Sequence, residues 1–399
     1  MTTTSLPAAV AQKTTYAVIF AVAFCHLIND VMQSLLTAIY PILKQEHGLD
    51  FVQVGLLSFT FQVTASLLQP IIGVQTDRRP QPYSLAVGMG FTLVGLVMLG
   101  FAEDYWLLLA GAAAIGLGSA VFHPESSRVA RLASGGRYGF AQSTFQVGGN
   151  AGAALGPLLA AFVVLPRGQS AVAWFAFAAL IGMLVLGRVG QWYAARLREA
   201  AKRQAPARGL IFDRRTTGVA LVVLVLLTLS KNAYTASIVN YFTFYLIEKF
   251  GVDVQTSQIM LFLYLAASAV GVYLGGPIGD RFGAKFVIWF SILGALPFAL
   301  ALPYADLTWA IVLVMVIGAV LSSAFPAIVV FGQELMPGRV GMVAGMFFGF
   351  AFGIGGIAAA LMGALADARG IDFVFQVTSY LPLFGLLTVF LPDMRKLAR

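Results

Sequence analysis

Four polar side chains interrupt a long apolar run near the start of the chain, at His26, Asn29, Asp30 and Gln33. Positions 26, 30 and 33 follow at i, i+4 and i+7 and Asn29 lies beside them, so a helix would present all four on one face. A carboxylate in the middle of a membrane helix costs roughly 2.5 to 3.5 kcal/mol, so such residues usually face a bundle interior or a wet cavity. We expect Asp30 to exchange protons and the other three side chains to contact a substrate.

A second set of ionisable residues, His123, Glu125 and Arg128, lies on a later apolar segment. Glu125 and Arg128 are three residues apart, so they can form a local ion pair. That pair could be structural or Glu125 could carry a proton, and both interpretations stay open. His123 is a candidate for proton coupling because histidine titrates near neutral pH. It could equally be a hydrogen-bonding partner, and Arg128 is also a candidate for contact with an anionic substrate.

Uncharged polar residues supply further candidate contacts with a substrate. Gln142, Gln146 and Asn150 recur every four residues, which predicts a neutral hydrogen-bonding stripe on one helix face. Such amides either contact a ligand or hold neighbouring helices together. Besides the residues of the opening motif, the uncharged residues that we assign to substrate binding are Gln62, Gln146, Asn150, Asn232 and Tyr234.

Lys231 lies about 21 Å into its own apolar segment at helical rise, and Asp30 is about as deep in the first one. A buried lysine needs a counter-charge or an anionic ligand. Two interpretations follow. Asp30 and Lys231 could form a static pair, or Lys231 could attract an anion while Asp30 takes up protons.

The elements that position these residues are membrane helices. The chain of 399 residues is 59% hydrophobic and 11% charged, with a mean hydropathy of +0.86, which excludes a water-soluble globular domain. A membrane-spanning helix needs about 20 apolar residues. The sequence therefore predicts an all-α polytopic membrane protein with twelve transmembrane helices, near residues 15–43, 51–76, 83–101, 106–133, 138–164, 171–195, 217–248, 256–280, 285–303, 308–334, 340–366 and 372–392.

The net charge of +8 reflects membrane topology rather than a nucleic-acid partner. Most Lys and Arg residues fall in segments that a cytoplasmic N-terminus would place inside, which predicts that both termini are cytoplasmic. The one cysteine, Cys25, excludes an intramolecular disulfide and Cys-rich metal sites. His26, His47 and His123 are too dispersed in sequence for a metal site to be expected.

The second half of the chain repeats the first. Sliding it by 203 and then by 202 residues superposes nine Gly, Pro, Asp or Arg positions, which indicates a tandem parallel duplication. Clear examples are the pairs Gly73 and Gly276, Asp77 and Asp280, Pro124 and Pro326, and Gly139 and Gly341. We predict six-helix bundles over residues 1–195 and 217–399, joined by a basic cytoplasmic linker over 196–216.

A conspicuous repeated motif is the loop Gly276 to Lys285, which resembles the G-x-x-x-D-R-x-G-x-[RK] signature of the major facilitator superfamily. In that superfamily the loop latches the cytoplasmic side. The first copy keeps Gly73, Asp77 and Arg78 but then contains Pro80 and Pro82, which favours the second copy as the stronger latch. The resemblance implies gating roles for Asp77, Arg78, Asp280, Arg281 and Lys285.

Other motifs narrow the resemblance. Gly152 to Pro157 is similar to the G-x-x-x-G-P motif of superfamily exporters, although a plain packing seam would share these residues. The stretches from His26 to Asp30, Phe122 to Arg131 and Ala141 to Asn150, with Gln333 to Leu335 and Phe347 to Phe350, resemble the fosmidomycin resistance family.

This resemblance implies a bacterial inner-membrane antiporter that exports a small anionic phosphonate drug. It would use a proton gradient and no bound cofactor, and we expect a monomer. An importer of a small organic acid remains an alternative, and a membrane enzyme is the rival from another class.

Overall fold

The computed structural model describes residues 14–202 and 211–394, and every regular element in these ranges is helical. Ten helical segments there are long and apolar enough to cross a membrane. Two further apolar helices, Ser84–Gly100 and Val340–Ala351, are shorter. These segments coincide with the twelve apolar runs, so the predicted all-α polytopic membrane fold is confirmed.

Seven α-helices form the first half of the described chain. They are α1 (Tyr16–Ala38), α2 (Tyr40–His47), α3 (Phe51–Arg78), α4 (Ser84–Gly100), α5 (Tyr105–Ala133), α6 (Tyr138–Leu159) and α7 (Ala176–Lys202). A π-helical turn, Ala160–Val164, continues α6, and a 3₁₀ segment, Gln169–Phe175, leads into α7. The break between α1 and α2 precedes Pro41, whose ring removes a backbone donor.

Eight α-helices form the second half. They are α8 (Arg214–Phe250), α9 (Val254–Phe282), α10 (Ala284–Leu293), α11 (Leu296–Ala301), α12 (Leu307–Ser322), α13 (Ala324–Leu335), α14 (Val340–Arg369) and α15 (Ile371–Thr378). Two 3₁₀ segments, Leu302–Tyr304 and Leu381–Phe390, complete the apolar runs of α10 and α15.

Equivalent aspartates begin equivalent helices in the two halves. The side chain of Asp50 accepts a hydrogen bond from the backbone N–H of Gln53 at the start of α3, at 2.7 Å. Asp253 does the same for Thr256 at the start of α9, at 2.9 Å. Both contacts satisfy a backbone donor that has no partner inside the helix. The repeat detected in sequence therefore places the same cap at both positions.

The helices extend into both ends of the predicted linker. Helix α7 continues to Lys202, and an ion pair of 3.1 Å joins Arg196 and Glu199 within its last turns. Helix α8 begins at Arg214, directly after its capping residue Asp213. Residues 203–210 lie outside the described residues. The division into units at 1–195 and 217–399 stays a prediction.

The two halves approach each other closely at glycines near the ends of α3 and α9. A Cβ at Gly73 would overlap the backbone of Gly341 on α14, and a Cβ at Gly276 would overlap the backbone of Gly139 on α6. Only residues without a side chain allow backbones to pack this tightly. These two contacts hold α3 against α14 and α6 against α9, and so position the residues described next.

Candidate functional site

The carboxylate of Asp30 lies at the centre of a polar cluster. Its Oδ1 accepts hydrogen bonds from Asn29 Nδ2 at 3.0 Å and from Gln33 Nε2 at 3.1 Å. The Nε2 atom of His26 lies 3.3 Å from its Oδ2, and the Nε2 atom of His123, on α5, lies 3.5 Å from its Oδ1. The side chain of Asp30 is 14% exposed, whereas both imidazoles are buried. The four side chains of the opening motif therefore meet, and His123 joins them.

Backbone carbonyls orient both imidazoles. The Nδ1 atom of His26 lies 2.7 Å from the carbonyl oxygen of Phe145, and Nδ1 of His123 lies 3.0 Å from that of Ser119. A carbonyl only accepts, so each Nδ1 carries the hydrogen. Each Nε2 then faces the carboxylate. That contact is attractive only when a proton or another cation lies between the two atoms, because an unprotonated Nε2 would direct its lone pair at a carboxylate oxygen.

His26, Asp30 and His123 form the one group of three ligand-bearing side chains, within the described ranges, whose spacing could hold a metal ion. Their ligand atoms all lie within 4.8 Å of one another. The expectation that the histidines are dispersed is thus wrong for His26 and His123, whose ring centroids are 5.1 Å apart. It holds for His47, whose Nε2 lies 2.6 Å from Oε1 of Gln169 instead. Helix packing brings together residues that are 97 positions apart, counted as 123 minus 26.

A chain of aromatic rings connects this cluster to Lys231 in the other half. The ring of His123 lies 5.1 Å from that of Phe348, and Phe348 lies 5.1 Å from Phe325 in an edge-to-face arrangement. The ammonium of Lys231 lies 5.7 Å from the centroid of Phe325. Such contacts between a cation and a ring face are attractive. A series of contacts through these rings therefore links Lys231 to the histidine beside Asp30.

Lys231 and Asp30 do not form a direct pair. Among ion pairs of 4.0 Å or less between described residues, none joins them, and Asp30 instead pairs with the two histidines. The recorded hydrogen bond of Lys231 Nζ is to Asn232 Oδ1, at 3.3 Å. The static pair is not formed in this structure, because Asp30 contacts the two histidines and Lys231 contacts Asn232 and the ring of Phe325. Lys231 is a partly buried cation with no carboxylate of the described residues within 4.0 Å.

Glu125 and Arg128 form the predicted ion pair, with Oε1 and Nε 3.3 Å apart. Glu125 is fully buried. Arg128 also donates to the backbone carbonyl of Thr76 at 2.5 Å and to Oδ1 of Asp77 at 2.5 Å. A guanidinium bridging two carboxylates stabilises both as anions. These contacts favour the structural interpretation of Glu125 over a proton-carrying one.

Asp77 and Asp280 each cap a helix of the opposite half. Asp77 accepts hydrogen bonds from the backbone N–H groups of Gly341 and Met342, at 2.9 and 2.7 Å. Asp280 accepts from those of Gly139 and Phe140, at 2.7 and 2.9 Å. A negative charge at a helix N-terminus is stabilised by exposed N–H groups and by the helix dipole. The duplicated loops therefore make the same contact twice, with the roles of the halves exchanged.

The two aspartates differ in one contact. Both accept bonds from two backbone N–H groups, but among the described residues only Asp77 also forms an ion pair, with Arg128 of its own half at 2.5 Å. The position equivalent to Arg128 in the second half is Val330. The proline residues of the first loop follow the end of α3 at Arg78, and both backbone bonds of Asp77 are present. That the second copy is the stronger latch stays a prediction.

The remaining predicted gating residues have different surroundings. Arg78 is exposed, and Arg281 lies with its guanidinium carbon 5.3 Å from the ring of Phe282. Lys285 donates to the backbone carbonyl of Leu391 within its own half. A gating role stays a prediction for all five assigned residues.

The amide stripe on α6 has two different environments. Gln142 is 2% exposed, and its Oε1 accepts a hydrogen bond of 2.8 Å from Ser127, whose own Oγ accepts one of 2.9 Å from Gln333 in the second half. Gln142 therefore helps to hold the two halves together. Gln146 and Asn150 are partly exposed and bond to each other at 3.3 Å, which leaves polar atoms available to a ligand.

Three further candidates for substrate contact differ in accessibility. Gln62 on α3 and Asn232 on α8 are partly exposed. Tyr234 is 1% exposed and packs in the hydrophobic core, so its assignment to a binding surface is wrong for this structure. Phe348 and Ser127 lie in stretches that resemble the family, but no pattern in the sequence assigned a role to either or marked Phe325. Aromatic residues on apolar helices are typical of core, and the partner of Ser127 is 206 residues away.

The comparison with known proteins agrees with this architecture. The profile of the Major Facilitator Superfamily matches residues 22–360 and 232–399. The chain belongs to the Major Facilitator Superfamily. It is 51% identical over 385 residues to the fosmidomycin resistance protein of Escherichia coli strain K12, covering 96% of this chain and 94% of that protein. The resemblance to this family noted from the motifs is confirmed.

Two other similarities place the chain more broadly within the superfamily. An uncharacterised transporter of the superfamily from Bacillus subtilis strain 168 is 39% identical over 388 residues, covering 96% of this chain and 95% of that protein. A crystal structure of the Escherichia coli fucose:proton symporter FucP superposes with a TM-score of 0.74 at 15% identity, covering 95% of this chain and 98% of that one. The chain is thus a multi-pass membrane transporter and not an enzyme.

Proposed function

We propose that the chain exports small anionic compounds of the phosphonate class, such as fosmidomycin, in exchange for protons. The observation that carries this proposal is the arrangement of charges on the two halves. A partly buried lysine without a carboxylate of the described residues within 4.0 Å lies in one half, and a carboxylate held by two histidines lies in the other. The similarity to the fosmidomycin resistance protein supports the choice of substrate class.

Lys231 supplies the attraction for the anion. A buried ammonium is costly unless it is paired, so an anionic ligand that reaches it gains binding energy that the resting protein lacks. Gln146 and Asn150 are partly exposed amides that would hydrogen-bond the same ligand. A lipophilic cation would instead be repelled by Lys231, which disfavours an exporter of cationic drugs.

The cluster around Asp30 supplies the proton site. The Nε2 atoms of both histidines approach one carboxylate. A proton between the atoms makes the contact attractive, and its loss makes the contact repulsive. The ring chain through Phe348 and Phe325 places this cluster and Lys231 on opposite sides of the interface between the halves. An anion bound at Lys231 and a proton bound at the Asp30 cluster therefore both change the contacts at the interface between the halves. Exchange of an anion for a proton requires such a shared interface.

Alternating access follows from the gate at the end of the bundle that carries Asp77 and Asp280. Their bonds to the opposite half would break when that end opens and re-form when it closes. We place the protein in the bacterial inner membrane as a monomer, with both termini and this gate on the cytoplasmic side, as the distribution of Lys and Arg predicts.

The decisive experiment expresses the chain in a sensitive bacterium and compares tolerance to fosmidomycin with tolerance to a cationic dye, with and without a protonophore. Protection against fosmidomycin that the protonophore abolishes is the expected result. Protection against neither compound contradicts the proposed substrate class. Inverted membrane vesicles of known orientation then decide between export and the alternative, import of a small organic acid.

A further inference from the structure

A groove of about 750 Å³ runs along the outer surface between α4 and α7. Its walls are apolar, and they include Val87, Phe91, Val94 and Leu184, which are 57, 43, 50 and 62% exposed. The groove exists because two positions lack side chains, Gly90 on α4 and Gly187 on α7. It lies apart from the charges assigned to transport, none of which lines it.

One end of the groove is polar. Tyr83, Arg188 and Gln191 line it there. This end is level with the start of α4, because a Cβ at Gly190 would lie 2.7 Å from the carbonyl oxygen of Pro82. Arg188 is exposed and has no recorded hydrogen bond or ion pair with any other described residue. Its guanidinium therefore keeps five donors available at the edge of the membrane-spanning region.

The groove, from its polar end at Tyr83 to Val94, has about the length of one lipid leaflet. From Tyr83 to Val94 there are eleven steps along α4, counted as 94 minus 83. At helical rise this is about 16 Å. The hydrocarbon core of a bilayer is about 30 Å thick, so one leaflet contributes about 15 Å. An acyl chain that lies in the groove with its headgroup at Arg188 would thus end near the middle of the bilayer.

We propose that this groove is a binding site for one anionic phospholipid. The acyl chain lies between α4 and α7, and the phosphate accepts hydrogen bonds from Arg188. Guanidinium groups bind phosphate through two parallel hydrogen bonds, and tyrosine is favoured at the level of lipid headgroups. The leaflet is the one next to the basic end of α7, which the predicted topology makes cytoplasmic. Neither step depends on the substrate proposed for transport.

Gly187 offers a way to fill the groove without disturbing the protein. A Cβ added there would have no other atom within 4 Å, so a larger side chain would project into the groove. The site is mid-helix, where leucine is favoured over glycine by roughly 0.8 kcal/mol. Gly218 on α8 is a matched control, because it is also helical and a Cβ there likewise has nothing within 4 Å.

The test titrates the purified, delipidated full chain with dioleoyl phosphatidylglycerol or dioleoyl phosphatidylcholine and counts bound lipids by native mass spectrometry. The wild type should bind one phosphatidylglycerol about fivefold more tightly than phosphatidylcholine, as one basic residue near a membrane surface implies. Arg188→Gln should remove this preference, and Arg188→Lys should retain most of it. Gly187→Leu should lose the bound lipid with either headgroup, while Gly218→Leu binds as the wild type does.

Three results would overturn the proposal. Equal affinity of the wild type for the two lipids would mean that the groove is an unselective apolar surface. Wild-type binding by Gly187→Leu would place the lipid elsewhere. A dimer that Gly187→Leu dissociates would assign the groove to a second copy of the chain. The comparison of Arg188→Gln with Arg188→Lys stays informative even if the leucine variant does not fold, because Arg188 has no partner among the described residues.

Discussion

Removing the carboxylate of Asp77 should open the gate. In Asp77→Ala the N–H groups of Gly341 and Met342 lose their acceptor, and Arg128 loses the ion pair of 2.5 Å that joins it to Asp77. Arg128 keeps Glu125, so the guanidinium retains one counter-charge. All of the lost helix-capping contacts join opposite halves of the transporter. The variant therefore destabilises the closed gate more than it destabilises either half by itself.

The size of the effect follows from the contacts. A hydrogen bond to a charged group contributes about 1.5 to 3 kcal/mol. The ion pair with Arg128 lies within the first half, so only the two hydrogen bonds that Asp77 accepts from the second half bear on the gate. Together these two bonds contribute about 3 kcal/mol, equivalent to roughly a hundredfold change in the equilibrium between open and closed gate. Asp280→Ala also removes two backbone bonds between the halves, so its effect on the gate should be of similar size.

Labelling of an introduced cysteine measures this equilibrium. Ser143 is fully buried and faces Gly276 across the interface, so Ser143→Cys in a Cys25→Ser background reports opening through its rate of reaction with a membrane-impermeant maleimide. We expect Asp77→Ala to raise the rate by about a hundredfold, as the population shift implies. Equal rates in Asp77→Ala and the unmodified background would refute the assignment of Asp77 to the gate.

Asp213 provides the control for this measurement. Its carboxylate also caps a helix, accepting from the backbone N–H groups of Arg215 and Thr216 at 2.9 Å, but both lie in its own half. The hydroxyl and the N–H of Thr216 hold the pKa of Asp213 below its usual value, so the cap stays ionised at the neutral pH of the labelling. Asp213→Ala should leave the reaction of Ser143→Cys unchanged. An increase there would mean that loss of any helix cap loosens the protein.

Three further predictions concern the site between the halves. Asp30→Asn keeps the shape of the side chain but removes its charge, so export measured in vesicles should lose its dependence on the pH gradient; retained dependence would remove Asp30 from coupling. Lys231→Gln should lower export of fosmidomycin at least about tenfold, since a lost buried charge contact is worth about 2 kcal/mol or more, and Lys231→Arg should restore part of it; unchanged export by Lys231→Gln would contradict the anion role. Phe348→Ala should lower the free energy of unfolding by about 3 to 5 kcal/mol, as for other buried aromatic residues, which a thermal melt measures; a change below 1 kcal/mol would mean that the ring chain is loosely packed.

Local patterns in the sequence were enough to determine the membrane helices and the repeat. Long apolar runs leave a chain no other way to satisfy its backbone hydrogen bonds in lipid than to form helices, so the twelve segments followed from composition alone. The ion pair of Glu125 with Arg128 was equally local, since residues three apart on a helix are neighbours. The equivalence of Asp77 and Asp280 appeared as an offset of 203 residues before it appeared as two matching helix caps.

Only the tertiary structure decided which partners the functional side chains have. Helical periodicity places Asp30 and Lys231 at similar depth, but it says nothing about what fills the space between two helices. In the structure Lys231 contacts the ring of Phe325, and Asp30 contacts His26 and His123 instead. Contacts between distant residues depend on how helices pack against one another, which local spacing does not encode. The meeting of two histidines at one carboxylate was for this reason beyond the reach of the sequence, although every residue of it was visible there.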